Sequence, residues 1–140
     1  MKQIKILIVL MFMFGITQAQ NPDAIIGKYH LPNDLDVEIF KVGNEYQGRI
    51  IGLNNYENGQ TIDLNNPDES LRNTPLIGMV IIKGLRYDPD ENEWIDGEMY
   101  GPEKGMVFNL KVTEIRDKEI EVVGSKFFIW RTLQWQKIGS

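Results

Sequence analysis

The stretch MVFNLKVT, residues 106–113, alternates: Met106, Phe108, Leu110 and Val112 point one way, and Asn109, Lys111 and Thr113 the other. A period of two marks a strand buried on one face and does not fit the 3.6-residue period of an amphipathic helix. Ile120 and Val122 repeat the pattern. Comparable short segments recur near 25–30, 36–42, 45–53, 79–87, 93–100, 106–115, 118–123 and 127–138. Gly43-Asn44, Asp88-Pro89-Asp90, the run from Gly101 to Gly105 and Arg116-Asp117 separate them. These are hairpin-turn residues, so successive segments are expected to be antiparallel neighbours. Beyond the first twenty residues no segment holds a helical period, and no internal repeat is visible. The class is all-β. About eight strands of this length build either a closed up-and-down barrel or a two-sheet sandwich, and the short connections favour the barrel.

The two ends bound the domain. MKQIKILIVLMFMFGITQAQ opens with Lys2 and Lys5, continues through an apolar run from Ile6 to Ile16, and ends with small residues at Thr17 and Ala19. This is the layout of a secretory signal peptide, 1–19, and the apolar run falls short of the roughly 20 residues needed to span a bilayer. Residues 20–140 are then expected to form one exported β-barrel domain, periplasmic or secreted, with no membrane span after the leader is removed. The chain has no cysteine, so its core has no disulfide or thiolate metal site to assist it. A net charge of −5, more negative once the acid-free leader is gone, argues against nucleic acid as a partner.

Strand parity assigns faces. In the last segment Ile129, Arg131, Leu133 and Trp135 share one side, which places Arg131 on the apolar face, where a guanidinium needs a partner. Tyr29, in Gly27-Lys28-Tyr29 at the first strand, is the natural candidate for it. This pairing resembles the lipocalin and wider calycin barrels, in which a basic residue of the last strand closes over a Gly-x-Trp of the first; tyrosine stands here in place of the tryptophan. On the 93–100 segment Trp94, Asp96, Glu98 and Tyr100 share one face and Ile95, Gly97 and Met99 the other. Burying two carboxylates is expensive, which favours Ile95 and Met99 inward. Phe108, Leu110, Ile120, Val122, Leu133 and Trp135 then line or fill the interior.

The longest connection, DLNNPDESLRNTPLIG from Asp63 to Gly78, reads as a helix start. Asn66 suits the N-cap, Pro67 the first helical position and Glu69 a capping box, with Leu71 as an anchor and Thr74-Pro75 ending the turn. A short helical turn is expected near 67–73. Arg72 could pair with Asp63 or Asp68 to lock the connection, or offer its fork to an anionic ligand. Asp63, Asn65 and Asp68 are spaced faintly like a calcium loop but lack its glycine and distal glutamate, so no metal is expected.

Asp63-Leu64-Asn65-Asn66-Pro67-Asp68, Leu71-Arg72, Pro75-Leu76, Gly78, Lys83-Gly84-Leu85, Trp94 with Gly97, Tyr100 with Pro102, Arg131-Thr132 and Trp135 resemble the secreted bacterial family called domain of unknown function 2147. The resemblance runs from Ile26 to Lys137. It implies a signal, one lipocalin-like barrel and no established catalytic activity. The chain departs from the family pattern in lacking cysteines and in carrying Tyr100-Gly101-Pro102 where the family often has Tyr-Asp-Pro.

No catalytic constellation stands out. The single histidine, His30, has no Gly-x-Ser-x-Gly and no cysteine to work with, and no cofactor motif is present. The expectation is a noncatalytic exported barrel that binds a small apolar molecule or lipid inside. The alternative is a packed barrel that acts as a protein-interaction module in the cell envelope through 63–78. Candidate contacts are Asp63, Asn65, Asn66, Asp68, Arg72, Trp94, Tyr100, Phe108, Arg131 and Trp135.

Overall fold

The computed structural model describes residues 20–139; the expected signal peptide lies outside them. A 3-10 turn (Pro22–Ile25) leads into eight strands: β1 (Gly27–His30), β2 (Leu35–Val42), β3 (Glu45–Leu53), β4 (Val80–Asp88), β5 (Glu93–Gly101), β6 (Met106–Ile115), β7 (Glu119–Lys126) and β8 (Ile129–Ile138). All neighbours are antiparallel, in sequence order, and β1 closes on β8 to complete a barrel. The strand limits lie within a few residues of those read from alternation and turn dipeptides. Val42 pairs with Glu45 across Gly43-Asn44, and Gly43 has φ 61, which a two-residue hairpin turn of this kind requires.

Apolar residues point inward from every strand, including Tyr29, Val37, Ile39, Ile50, Ile82, Leu85, Trp94, Leu110, Val112, Ile120, Val122 and Trp135, all buried. The outer faces carry cross-strand charge pairs such as Glu38–Arg49 at 2.8 Å. That is the reverse of a lipid-facing barrel. No helix among the described residues is long and apolar enough to cross a membrane.

One end of the barrel is sealed by the N-terminal 3-10 turn. Trp94 Nε1 donates to the Pro22 carbonyl at 2.9 Å, Tyr29 Oη to the Ile25 carbonyl at 2.7 Å, and Tyr46 Oη to Asp23 at 2.6 Å. Tyr29 is therefore satisfied by backbone, and the expected contact with Arg131 is absent. Its strand neighbour on β8 is Lys137, because β1 is only four residues long and pairs with β8 at Gln136 to Ile138 alone. Arg131 and Leu133 lie past the reach of β1 and are exposed, so neither lines a closed interior.

Strand β5 corrects a second expectation. Asp96 adopts φ 62 and the register with β6 shifts between Trp94 and Gly97, a β-bulge that adds one residue. Parity therefore flips within the strand, and Trp94 faces inward together with Gly97 and Met99 while Ile95 is half-buried. The extra residue resolves the conflict between an inward tryptophan and two inward carboxylates. Asp96 and Glu98 stay exposed.

Candidate functional site

The β3–β4 connection folds back on itself over the outside of the barrel. Ile62 pairs with Pro75, the Asp63 N–H donates to the Thr74 carbonyl at 2.9 Å, and the Leu76 N–H donates to Thr61 at 3.0 Å. Leu76 is the buried anchor of this lobe, whereas Leu71, expected in that role, is 46% exposed. The helical element is a single 3-10 turn (Glu69–Leu71) capped by Asp68, whose carboxylate accepts from the Ser70 N–H and hydroxyl. Those contacts hold the Asp68 carboxyl below its ordinary value. The helix therefore starts two residues later than the Asn-Pro reading places it. Asn66 makes the same kind of contact two residues earlier, its side-chain oxygen accepting from the Asp68 N–H at 2.9 Å and its amide donating to Asp63 at 2.8 Å, but the helical residues begin only after Asp68.

Asp63 is the centre of the arrangement. It is fully buried, and its two carboxylate oxygens lie 2.8 and 3.0 Å from Tyr100 Oη. Tyr100 comes from the outer face of β5, so this contact ties the connection to the barrel wall. Burial, then the hydrogen bond to Asp63, raises the Tyr100 hydroxyl pKa well above its ordinary value. A buried carboxylate without hydrogen-bond donors would be very costly, and Tyr100 with Asn66 supplies them.

A second contact fixes the same lobe from behind. The Asn65 amide donates to the Pro102 and Glu103 carbonyls at 3.3 and 3.0 Å. The Asn65 carbonyl comes so near Gly105 that a Cβ there would lie 1.9 Å from it. Gly105, at φ 62, is thus required by both backbone conformation and space. Tyr56, fully buried, donates to Glu103 at 2.6 Å from the start of the connection. Two motifs that look separate in the sequence, Asp63 to Asp68 and Gly101 to Gly105, are one interlocked unit.

Arg72 does not pair with Asp63 or Asp68. Its Nε donates to the Asn66 carbonyl at 2.8 Å, and its nearest carboxylate is the exposed Glu69 at 3.8 Å. The expected pairing with an aspartate is replaced by a contact to backbone, because a carbonyl within the turn is closer to the guanidinium than either carboxylate. Asp63, Asn65 and Asp68 turn to Tyr100, to the 102–103 carbonyls and to Ser70, and do not converge on a common point. No group of His, Asp and Glu side chains among the described residues is placed to hold a metal ion.

Between the lobe and the barrel wall lies a cleft of about 400 Å³, within the roughly 300–1,000 Å³ range of small-molecule sites. Asp63, Asn66, Leu71 and Thr74 line it from the lobe, and Met79, Ile81, Lys83, Glu98, Tyr100 and Val107 from β4, β5, β6 and the residue preceding β4. Of the expected contacts the structure brings Asp63, Asn66 and Tyr100 together here. Trp94 and Trp135 are buried in the barrel core, Phe108 packs against that core, and Arg131 is exposed on β8. Ile81, Lys83 and Val107 were not anticipated. The signal for Ile81 and Val107 was an apolar side chain at a position that strand parity points outward. A second groove of about 430 Å³ crosses the outer face of β5 to β8 beside Asp96, Lys111 and Trp130, but no buried polar side chain meets it. His30 lies on β1, across the barrel, with Nδ1 2.6 Å from Asp36.

In fold the chain is similar to a solved structure described as "Protein HP1028 from the human pathogen Helicobacter pylori belongs to the lipocalin family", with a TM-score of 0.70, 19% identity, and coverage of 81% of this chain and 82% of that one. No functionally curated protein matches in sequence. The family model described as "Uncharacterized protein conserved in bacteria (DUF2147)" matches residues 27–137, nearly the whole barrel with its β3–β4 lobe, and the chain therefore belongs to that family.

Proposed function

We infer that this is a noncatalytic, exported binding protein that holds a small, largely apolar molecule. Its site is the cleft between the β3–β4 lobe and the outer wall of the barrel rather than the barrel interior. The observation that carries this reading is the buried Asp63–Tyr100 pair set in a cleft rimmed by Leu71, Met79, Ile81 and Val107. Apolar walls with a few placed polar groups suit recognition by burial plus orientation. Glu98 and Lys83 are the exposed charges of the cleft, with Asp63 buried behind Tyr100 and Asn66, and Glu98 suits a ligand whose polar end is an amine or a hydroxyl.

Native mass spectrometry of the purified protein, with displacement of a neutral lipophilic dye by octylamine, tests the reading. Saturable dye binding is expected in the wild type, with at least a tenfold loss in Val107→Trp, whose bulk would fill the cleft from an exposed position (on the order of 1.4 kcal/mol). Unchanged binding in a folded Val107→Trp variant would overturn it.

A second reading, a protein-docking role for the lobe, is favoured by Leu64 and Ile77, which are each 52% exposed on it. Leu64→Ser with Ile77→Ser would abolish capture of a partner while leaving dye binding intact. Loss of dye binding in the same variant would count against separate sites.

A further inference from the structure

The β7–β8 hairpin ends in Lys126-Phe127-Phe128-Ile129-Trp130-Arg131. Lys126 pairs with Ile129, so Phe127 and Phe128 form a two-residue turn, and they are 85% and 89% exposed. Ile129 and Trp130 are each 65% exposed, and Met106 and Val107 on the neighbouring β6 add 41% and 47%. Lys126 Nζ joins the two strands by donating to the Val107 carbonyl at 2.6 Å, and it lies 5.5 Å from the centre of the Phe127 ring.

Three observations set this tip apart from incidental surface hydrophobicity. First, Phe127 has φ 56, a conformation that two-residue turns ordinarily give to Asn or Gly. A bulky aromatic is held there despite the steric cost. Second, β1 pairs with β8 only at Gln136 to Ile138, so the outer half of β8 has no strand on that side, while β7 stays paired with β6 as far as Ser125. Third, the tip carries Lys126 and Arg131 beside its aromatic residues, and the sequence from Val122 to Ser140 contains no acid, in a chain of net charge −5.

We propose that this hairpin tip docks into the interfacial layer of a membrane that carries anionic lipid. Aromatic side chains favour the boundary between headgroups and acyl chains, and lysine and arginine beside them pair with lipid phosphates.

Flotation of protein recovered from the exported fraction with phosphatidylcholine vesicles, and with mixed phosphatidylcholine–phosphatidylglycerol vesicles, tests the proposal. Co-flotation is expected with the mixed vesicles and at least a tenfold weaker association with phosphatidylcholine alone. Phe127→Asn with Phe128→Ser, and separately Lys126→Glu with Arg131→Glu, should each weaken binding to the mixed vesicles at least tenfold. Asparagine suits the left-handed turn position, and the charge-reversal variant keeps Phe127 and Phe128, so loss of fold in one would not obscure the other. Absence of flotation with anionic vesicles, or equal flotation of both variants and wild type, would overturn the proposal. So would a vesicle-free dimer in sedimentation that dissolves in Phe127→Asn with Phe128→Ser, since it would assign the tip to a second copy of the chain.

Discussion

Asp63, Tyr100 and Gly105 decide how the lobe sits on the barrel. Tyr100→Phe removes a donor from a buried carboxylate while keeping the ring, and should cost about 1–3 kcal/mol in chemical denaturation. Gly105→Ala places a methyl group against the Asn65 carbonyl at a positive φ, and should cost about 1–3 kcal/mol or detach the lobe. Native-state hydrogen exchange at Asp63 and Leu76, whose N–H groups are bonded within the lobe, distinguishes detachment from global loss. Much of this was legible in the sequence as a cluster of unusual residues, since Asx and proline chemistry has recognisable spacing. The partners were not. Arg72 sits six residues from the carbonyl it binds and Asp63 lies 37 residues from Tyr100, so neither contact leaves a local pattern.

At the scale of single elements, the strands followed from period-two alternation bounded by turn residues, and eight of eight appear in order. Alternation alone could not show the bulge at Asp96, because one added residue exchanges the two faces without changing composition. Nor could it show how short β1 is, and that length decides that Arg131 and Leu133 are left uncovered. The N-terminal 3-10 turn, which the alternation does not reveal, has a testable role as the floor of the barrel. The Tyr46 hydroxyl, then Lys41, holds the Asp23 carboxyl below its ordinary 3.8. Its folded value is depressed, so its contribution is fully present above pH 3.8 and is lost as pH falls through the lower folded value. In Asp23→Asn that acid-side loss should disappear, flattening the low-pH limb of the stability profile followed by the fluorescence of the chain's three tryptophans. An unchanged limb would show that the floor does not depend on this carboxylate.

For the molecule as a whole, the tyrosines report integrity. Burial pushes Tyr29 up to about 12, and burial with an acidic partner raises Tyr46, Tyr56 and Tyr100 further. Their folded values lie above the ordinary 10, so the stability they contribute is present below pH 10 and is lost as pH rises through those folded values. Spectrophotometric titration should show these four tyrosines resisting ionisation above pH 10 and then titrating together as the barrel opens. Titration near 10 would contradict a sealed core. The barrel supplies a rigid wall, the lobe a polar and apolar lid over it, and the space between them the proposed binding cleft. The most direct test is a methyl-resolved NMR titration with octylamine. The account predicts saturable shifts at Leu71, Ile81 and Val107 with Ile120 and Val122 unmoved; shifts confined to Ile120 and Val122, or no saturable shift at all, would contradict it.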